Sequence, residues 1–174
     1  MKLKNRFSKI ASNSGLAIKI CLVMGMGLLW IYAFFFAPSG NPDRLSERMW
    51  AENASNICQK ASLQINDLPS AREASTPADR ANVLEEATSI LENMKTDIAA
   101  LTLQKEKDRF NVSSWLTDWE TYIQDRKNHV RRLREEGDVE PLLTALTDSK
   151  SIVERMNGFA RVNDLKNCLD PGDF

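Results

Sequence analysis

"GLAIKICLVMGMGLLWIYAFFFAPSG", residues Gly15 to Gly40, is the one long apolar run in this chain, and its reading decides what the rest can be. Between Leu16 and Ala37 the only charged residue is Lys19, in the first turn. These 22 residues span about 33 Å as a helix, enough for a hydrocarbon core of about 30 Å. The apolar region of a signal peptide is shorter, about 7–15 residues, and ends at a small-x-small site. A cut after Ala37 would put bulky Phe35 where a small residue is needed, whereas a cut after Ser39 would meet the pattern. Length favours an anchor that is not cleaved. Bulky Ile20 ahead of Cys21 argues against a lipobox.

Charge orients the anchor. Lys2, Lys4, Arg6 and Lys9 precede it with no acidic residue among them. The positive-inside rule therefore places residues 1–15 in the cytoplasm as a basic tail, with the span at 16–37, a linker at 38–42 and residues 43–174 outside. Trp30 and Tyr32 then fall near the outer interface, and Lys19 can snorkel inward. Ala17, Cys21 and Gly25 form a small-xxx-small row, which permits close packing against another membrane helix but is also common in membrane spans generally.

All 24 acidic residues lie after Gly40, against 18 of the 23 basic ones. An exported part of about six net negative charges is a poor match for nucleic acid, which needs a basic surface. Three cysteines and one histidine leave little material for a zinc site, and no metal or other cofactor is expected.

"PSGNP", Pro38 to Pro42, breaks the membrane helix, and the chain beyond it reads as helix almost throughout. Pro42, Pro77 and Pro141 each stand where a first helical residue is expected, since the missing N–H costs nothing there. Thr76 is suited to cap the helix that begins at Pro77, with Asp79 facing its dipole. The pattern predicts helices over about 42–67, 77–104 and 113–136, and a fourth from Pro141. Their apolar stripes include Trp50, Ala54 and Ile57; Leu91, Met94 and Ile98; Trp115, Trp119 and Ile123; and Leu142, Leu146 and Val153. "KEKDRFNV", Lys105 to Val112, reads as a loop, and Gly137 as the stop of the third helix. The expected fold is all-α, a transmembrane helix followed by an antiparallel four-helix-type bundle. A dimeric coiled coil through the second helix fits less well, because the other stripes are broader.

Cys58 and Cys168 remain outside the membrane, and an even pair in an oxidising compartment suggests a disulfide. A straight helix from Pro141 would carry Cys168 about 25 Å past the level of Cys58, at 1.5 Å per residue. A bond therefore requires either a break near Gly158, with Phe159 under the turn, or a fourth helix that starts later, near Asp148. The break at Gly158 is the expectation, with Asn163 and Asn167 satisfying freed backbone groups.

Catalysis finds little support. His129 lies among charges in "DRKNHVRRLREE" and reads as a solvated surface residue, as do Asp118, Glu120 and Asp125. The Glu-x-x-His pairs of a di-metal bundle are missing from the sequence. Arg126, Lys127, Arg131, Arg132 and Arg134 form the one basic concentration in the exported part. It could meet anionic lipid or an acidic partner, but a solvated face balanced by Glu135, Glu136 and Asp138 is the expected reading. Asn53 and Asn111 match the short glycosylation pattern, which carries little weight.

The single anchor, "DWETYIQDR" (Asp118 to Arg126), "GFARVNDLKNC" (Gly158 to Cys168) and the closing "DPGD" resemble uncharacterised small single-pass membrane proteins of high-GC Gram-positive bacteria. The resemblance implies a bacterial cell membrane and carries no activity or residue role with it. The expected function is that of a non-enzymatic interaction or accessory protein with a helical bundle outside the membrane. Its expected partners are the membrane and either another protein or a second copy of the chain. The alternative is a small-ligand-binding, sensor-like module acting through a membrane partner.

Overall fold

The computed structural model describes residues 4–36, 40–147 and 150–173, and divides the chain into one unit up to Gly40 and a second from Asn41. The first unit is helix α1, Lys4–Phe35. It starts inside the stretch read as a basic tail. From Ile18 to Phe35 none of its apolar side chains is buried, with Leu22, Val23, Phe34 and Phe35 each about two-thirds or more exposed. By length and composition this helix is long and apolar enough to span a membrane or to serve as a signal sequence. Ala37, Pro38 and Ser39 lie outside the described residues.

The second unit contains α2 (Arg48–Asn66), α3 (Pro77–Ala99), α4 (Glu106–Glu135) and α5 (Ile152–Val162), with a small hairpin, β1 (Ala145–Thr147) and β2 (Lys150–Ser151), before α5. The fold is mainly helical, but the hairpin departs from the all-α expectation, and α5 is much shorter than the fourth helix read from the sequence. α3 lies along α4, α2 packs on α3, and α5 packs on α4. At the start of α3 the local signals hold: Thr76 Oγ1 accepts from the Asp79 N–H at 3.1 Å, and Pro77 follows it. Gly137, with φ of +90°, ends α4 in a conformation that favours glycine.

α4 begins at Glu106, within the predicted loop. The reason is tertiary. Glu47, just ahead of α2, accepts backbone N–H bonds from Gln104 (3.0 Å) and Lys105 (2.7 Å). Asp108, in the first turn of α4, accepts from Ser46 N–H, Ser46 Oγ and Glu47 N–H, each at 2.9 Å. This also fixes the start of α2 at Arg48, six residues after Pro42. α3 in turn stops at Ala99, short of Gln104.

Pro141 starts no helix. Residues 141–144 run extended because Asp125 of α4 accepts both the Thr144 N–H (2.7 Å) and its hydroxyl (2.9 Å). Leu142, assigned to a buried stripe, is 68% exposed. α5 starts only at Ile152, where Ser151 Oγ accepts from the Glu154 N–H. It then runs unbroken through Gly158 to Val162, so the expected break at Gly158 does not exist. The late start resolves the geometric objection instead. Cys58 and Cys168 are bonded, with Cα atoms 5.1 Å apart. Phe159 stacks on Trp115, their ring centroids 5.2 Å apart. Asn163 does satisfy backbone groups: it accepts the Leu45 N–H at 2.8 Å and donates to the Asp43 and Phe159 carbonyls.

The core forms where the stripes meet. Trp50, Trp115, Trp119 and Tyr122 make a run of edge-to-face contacts, flanked by buried Leu91, Met94, Ile98 and Met156. Val153 is partly buried against them. A smaller cluster of Ala71, Ala81, Leu84, Val130 and Leu133 lies between α3 and the later turns of α4.

Candidate functional site

Beside its aromatic stripe, α4 carries a second stripe: Asp118, Tyr122, Asp125, Arg126 and His129, all buried. Taken residue by residue these look like solvated charges, so their burial corrects the surface assignment of Asp118, Asp125 and His129. The spacing of three and four is a helical face, and that spacing is visible in the sequence. Each of the first four holds a segment that lies beyond α4 in the chain. Asp118 pairs with Arg155 of α5, whose Nε donates at 2.9 Å. Asp125 holds Thr144 in its extended path. Tyr122 and Arg126 hold the C-terminal strap, residues 169–173, which comes after the 3₁₀ turn Lys166–Cys168.

Arg126 is the centre of the site. Its side chain has no solvent exposure. Nη1 and Nη2 donate to the two carboxylate oxygens of Asp173 at 2.5 and 2.6 Å, a bidentate fork. Nε donates to Thr88 Oγ1 on α3 at 3.0 Å, and Nη1 to the Tyr122 hydroxyl at 3.3 Å. That hydroxyl donates to Asp170, and Arg72 donates to the Gly172 carbonyl at 2.7 Å. Burial works against the guanidinium charge, but the Asp173 carboxylate and Tyr122 outweigh it and hold Arg126 above its ordinary pKa. Burial raises the Tyr122 pKa well above its ordinary value. Tyr122 is therefore a neutral donor at any ordinary pH. His129 is held below its usual value of 6.5 by burial and by the charges of Arg132, Arg80 and Arg126.

Two hollows meet at the strap. A groove of about 530 Å³ runs between α2, α3 and the strap, with Ala61, Ala87, Leu91 and Met94 on its floor and Arg72, Lys166, Asp170 and Asp173 at its edges. A smaller hollow of about 220 Å³, shared by Arg72, Arg80, His129 and Asp173, continues on the other side. Thr88, Tyr122, Asp170 and Asp173 are site residues that sequence reasoning misses. The closing "DPGD" stands out in the sequence, but nothing there gives it a chemical role.

Of the five residues in the basic concentration, Arg126 points inward. The other four each face a carboxylate: Lys127 with Glu92, Arg131 with Glu135 (2.6 Å), Arg132 with Glu136 (3.2 Å) and Arg134 with Glu85 (2.7 Å). Arg134 holds the Glu85 carboxyl below its ordinary range. On α1, Cys21 and Gly25 are exposed, while the side chain of Ala17 lies outside the described residues. Among the described residues no cluster of three His, Cys, Asp or Glu side chains is close enough to hold a metal ion. No protein-family model, curated protein or solved structure matches this chain.

Proposed function

We propose that this chain is a membrane-anchored interaction protein that presents a disulfide-locked helical bundle on the outer side of a cytoplasmic membrane and works by binding another polypeptide rather than by catalysis. The observation that carries the reading is the groove of about 530 Å³ with an apolar floor, edged by a strap of the chain's own backbone. A groove of this size walled on one side by a strap of chain has room for a segment from elsewhere to lie beside it. Its placement outside the cell is supported by the Cys58–Cys168 bond, which persists in oxidising compartments, and by the basic residues ahead of the apolar run. Cys21 and Gly25 of the small-residue row stay open on α1 to a second membrane helix.

Crosslinking in native membranes tests the reading. A lysine-directed reagent should join Lys166, at the groove edge, to one recurrent protein or to a second copy of the chain. Repeated recovery of no protein at Lys166 would overturn it. A phosphatase fused after Phe174 should be active outside the membrane. An inactive fusion would reverse the orientation, and a mature chain starting near Gly40 would replace the anchor with a cleaved signal. One observation favours a second reading: the groove volume also falls in the range of about 300–1,000 Å³ usual for small-molecule sites. Native mass spectrometry of the purified chain separates the two, since a small ligand would appear as a discrete added mass.

A further inference from the structure

We propose that Arg126, with Tyr122, Thr88 and Arg72, is a recognition site for an acidic peptide segment, and that the C-terminal strap is its exchangeable resident. The proposal rests on the interaction reading and names the kind of segment the groove takes. Three observations lead to it.

The first is the cost of the site. A fully buried guanidinium needs an anion, and replacing a buried ion pair with apolar residues is often neutral or stabilising. An arginine placed here among aromatics is therefore better suited to recognition than to stability. Its two-pronged contact with Asp173 has the geometry with which arginine selects carboxylates.

The second is how the strap is held. Among the described residues it engages these side chains through two carboxylates and one carbonyl, Asp173 on Arg126, Asp170 on Tyr122 and Gly172 on Arg72, and the Asp170 N–H donates to Asn157 Oδ1 of α5. Pro171 and Gly172 between them are exposed, and residues 169–173 form no regular secondary structure. These are contacts that an Asp-x-Gly-Asp segment can supply, the glycine being needed because Gly172 sits at φ +62°.

The third is topology. The strap comes after Cys168, so it can leave its seat while the disulfide still ties the chain end to α2. Departure would bare Arg126 and the groove floor together, a charged anchor beside an apolar track.

The test uses the full-length chain in detergent and, as probe, a fluorescent peptide with the sequence of residues 169–174, Leu-Asp-Pro-Gly-Asp-Phe. Replacing the strap carboxylates by Asp170→Asn with Asp173→Asn weakens the internal competitor. That variant should bind the peptide at least about tenfold more tightly than the unaltered chain, because a larger share of its sites is open. Adding Arg126→Gln should weaken binding by about 100-fold, and a peptide with both aspartates changed to asparagine should fail to bind. No binding by the strap variant, with its helix content and disulfide intact, would overturn the proposal and leave the strap a structural staple. If that variant does not fold, hydrogen exchange on the unaltered chain decides. The strap amides should exchange at least about 100-fold faster than those of mid-α4, whereas equal protection would overturn exchangeability. Light scattering identifies the source of the segment: an association abolished by Arg126→Gln points to a second copy, and a monomer that binds the peptide points to a different protein. The readout is independent of native crosslinking. Peptide binding without any crosslinked partner would sink the interaction reading but not the site.

Discussion

Glu47 and Asp108 exchange caps: each accepts backbone N–H bonds from the residues that lead into the other's helix, across 61 positions of sequence. Asp108 is fully buried, and its Oδ2 alone takes three donors. The pair sets where α2 and α4 begin and holds their N-terminal ends side by side. Asp108→Ala leaves three part-buried donors without their acceptor and should destabilise the unit by about 1–3 kcal/mol in urea unfolding. Glu47→Ala, nearer solvent, should cost about 0.5–2 kcal/mol, the range for a lost cap. In the double variant the losses should fall short of additive by about 0.5 kcal/mol or more. Strict additivity would mean the two caps act independently.

Period and local chemistry are legible in the sequence; long-range polar contacts are not. The spacing of Leu91, Met94 and Ile98, and of Trp115 and Trp119, marks faces that the fold does bury, and Thr76 caps as its residue type suggests. The pairing of Cys58 with Cys168 follows from compartment and parity. The start of α4 is hidden because its cap comes from Glu47. The late start of α5 is hidden because Asp125 draws Thr144 into an extended path where Pro141 alone reads as a helix start. Arg126 misleads for the same reason. Its partner Asp173 is 47 residues away, and a charge with no visible neighbour looks solvated.

Gly158 offers a direct check on the unbroken α5. It sits inside the helix, and a Cβ built there meets nothing within 4 Å. Glycine is therefore only a conformational cost at this position. Gly158→Ala should raise stability by about 0.5–1 kcal/mol, with α5 intact. Destabilisation would mean that the glycine is needed for a turn, and would restore the break.

The Cys58–Cys168 bond links residues 110 positions apart and buries both cysteines completely. Constraint of so long a loop in the unfolded chain is worth up to about 4.7 kcal/mol in the chain-entropy model, and removal of a native bridge typically costs about 2–5 kcal/mol. The Cys58→Ala, Cys168→Ala double variant should lose stability in that range. Non-reducing peptide mapping of the unaltered chain should recover a peptide linked between positions 58 and 168. Because the sulfurs are buried, a mild reductant should cleave the bond quickly only when denaturant is also present. Rapid reduction of the folded chain would place the C-terminal turn among the parts that open locally.

His129 is the single histidine, which makes its titration separable from every other group. It is 3% exposed, and Arg80 from α3 together with Arg126 and Arg132 on α4 oppose its protonation, with Glu140 only partly offsetting them. Its folded pKa therefore lies below the ordinary 6.5, and the unfolded chain takes up the proton first as pH falls. The stability linked to His129 is complete above about 6.5 and is lost as pH drops from there through the folded value. The Glu85 carboxyl, also lowered, acts in a separate window below its ordinary 4.5. Urea unfolding near pH 7.5, 6.5 and 5.5 should show little change over the first step and a loss of up to about 1 kcal/mol over the second. His129→Gln should flatten that second step while leaving any decline below about pH 4.5 in place. An identical slope in the variant would show that His129 titrates alike in the folded and unfolded chain, and that the surrounding arginines do not reach it.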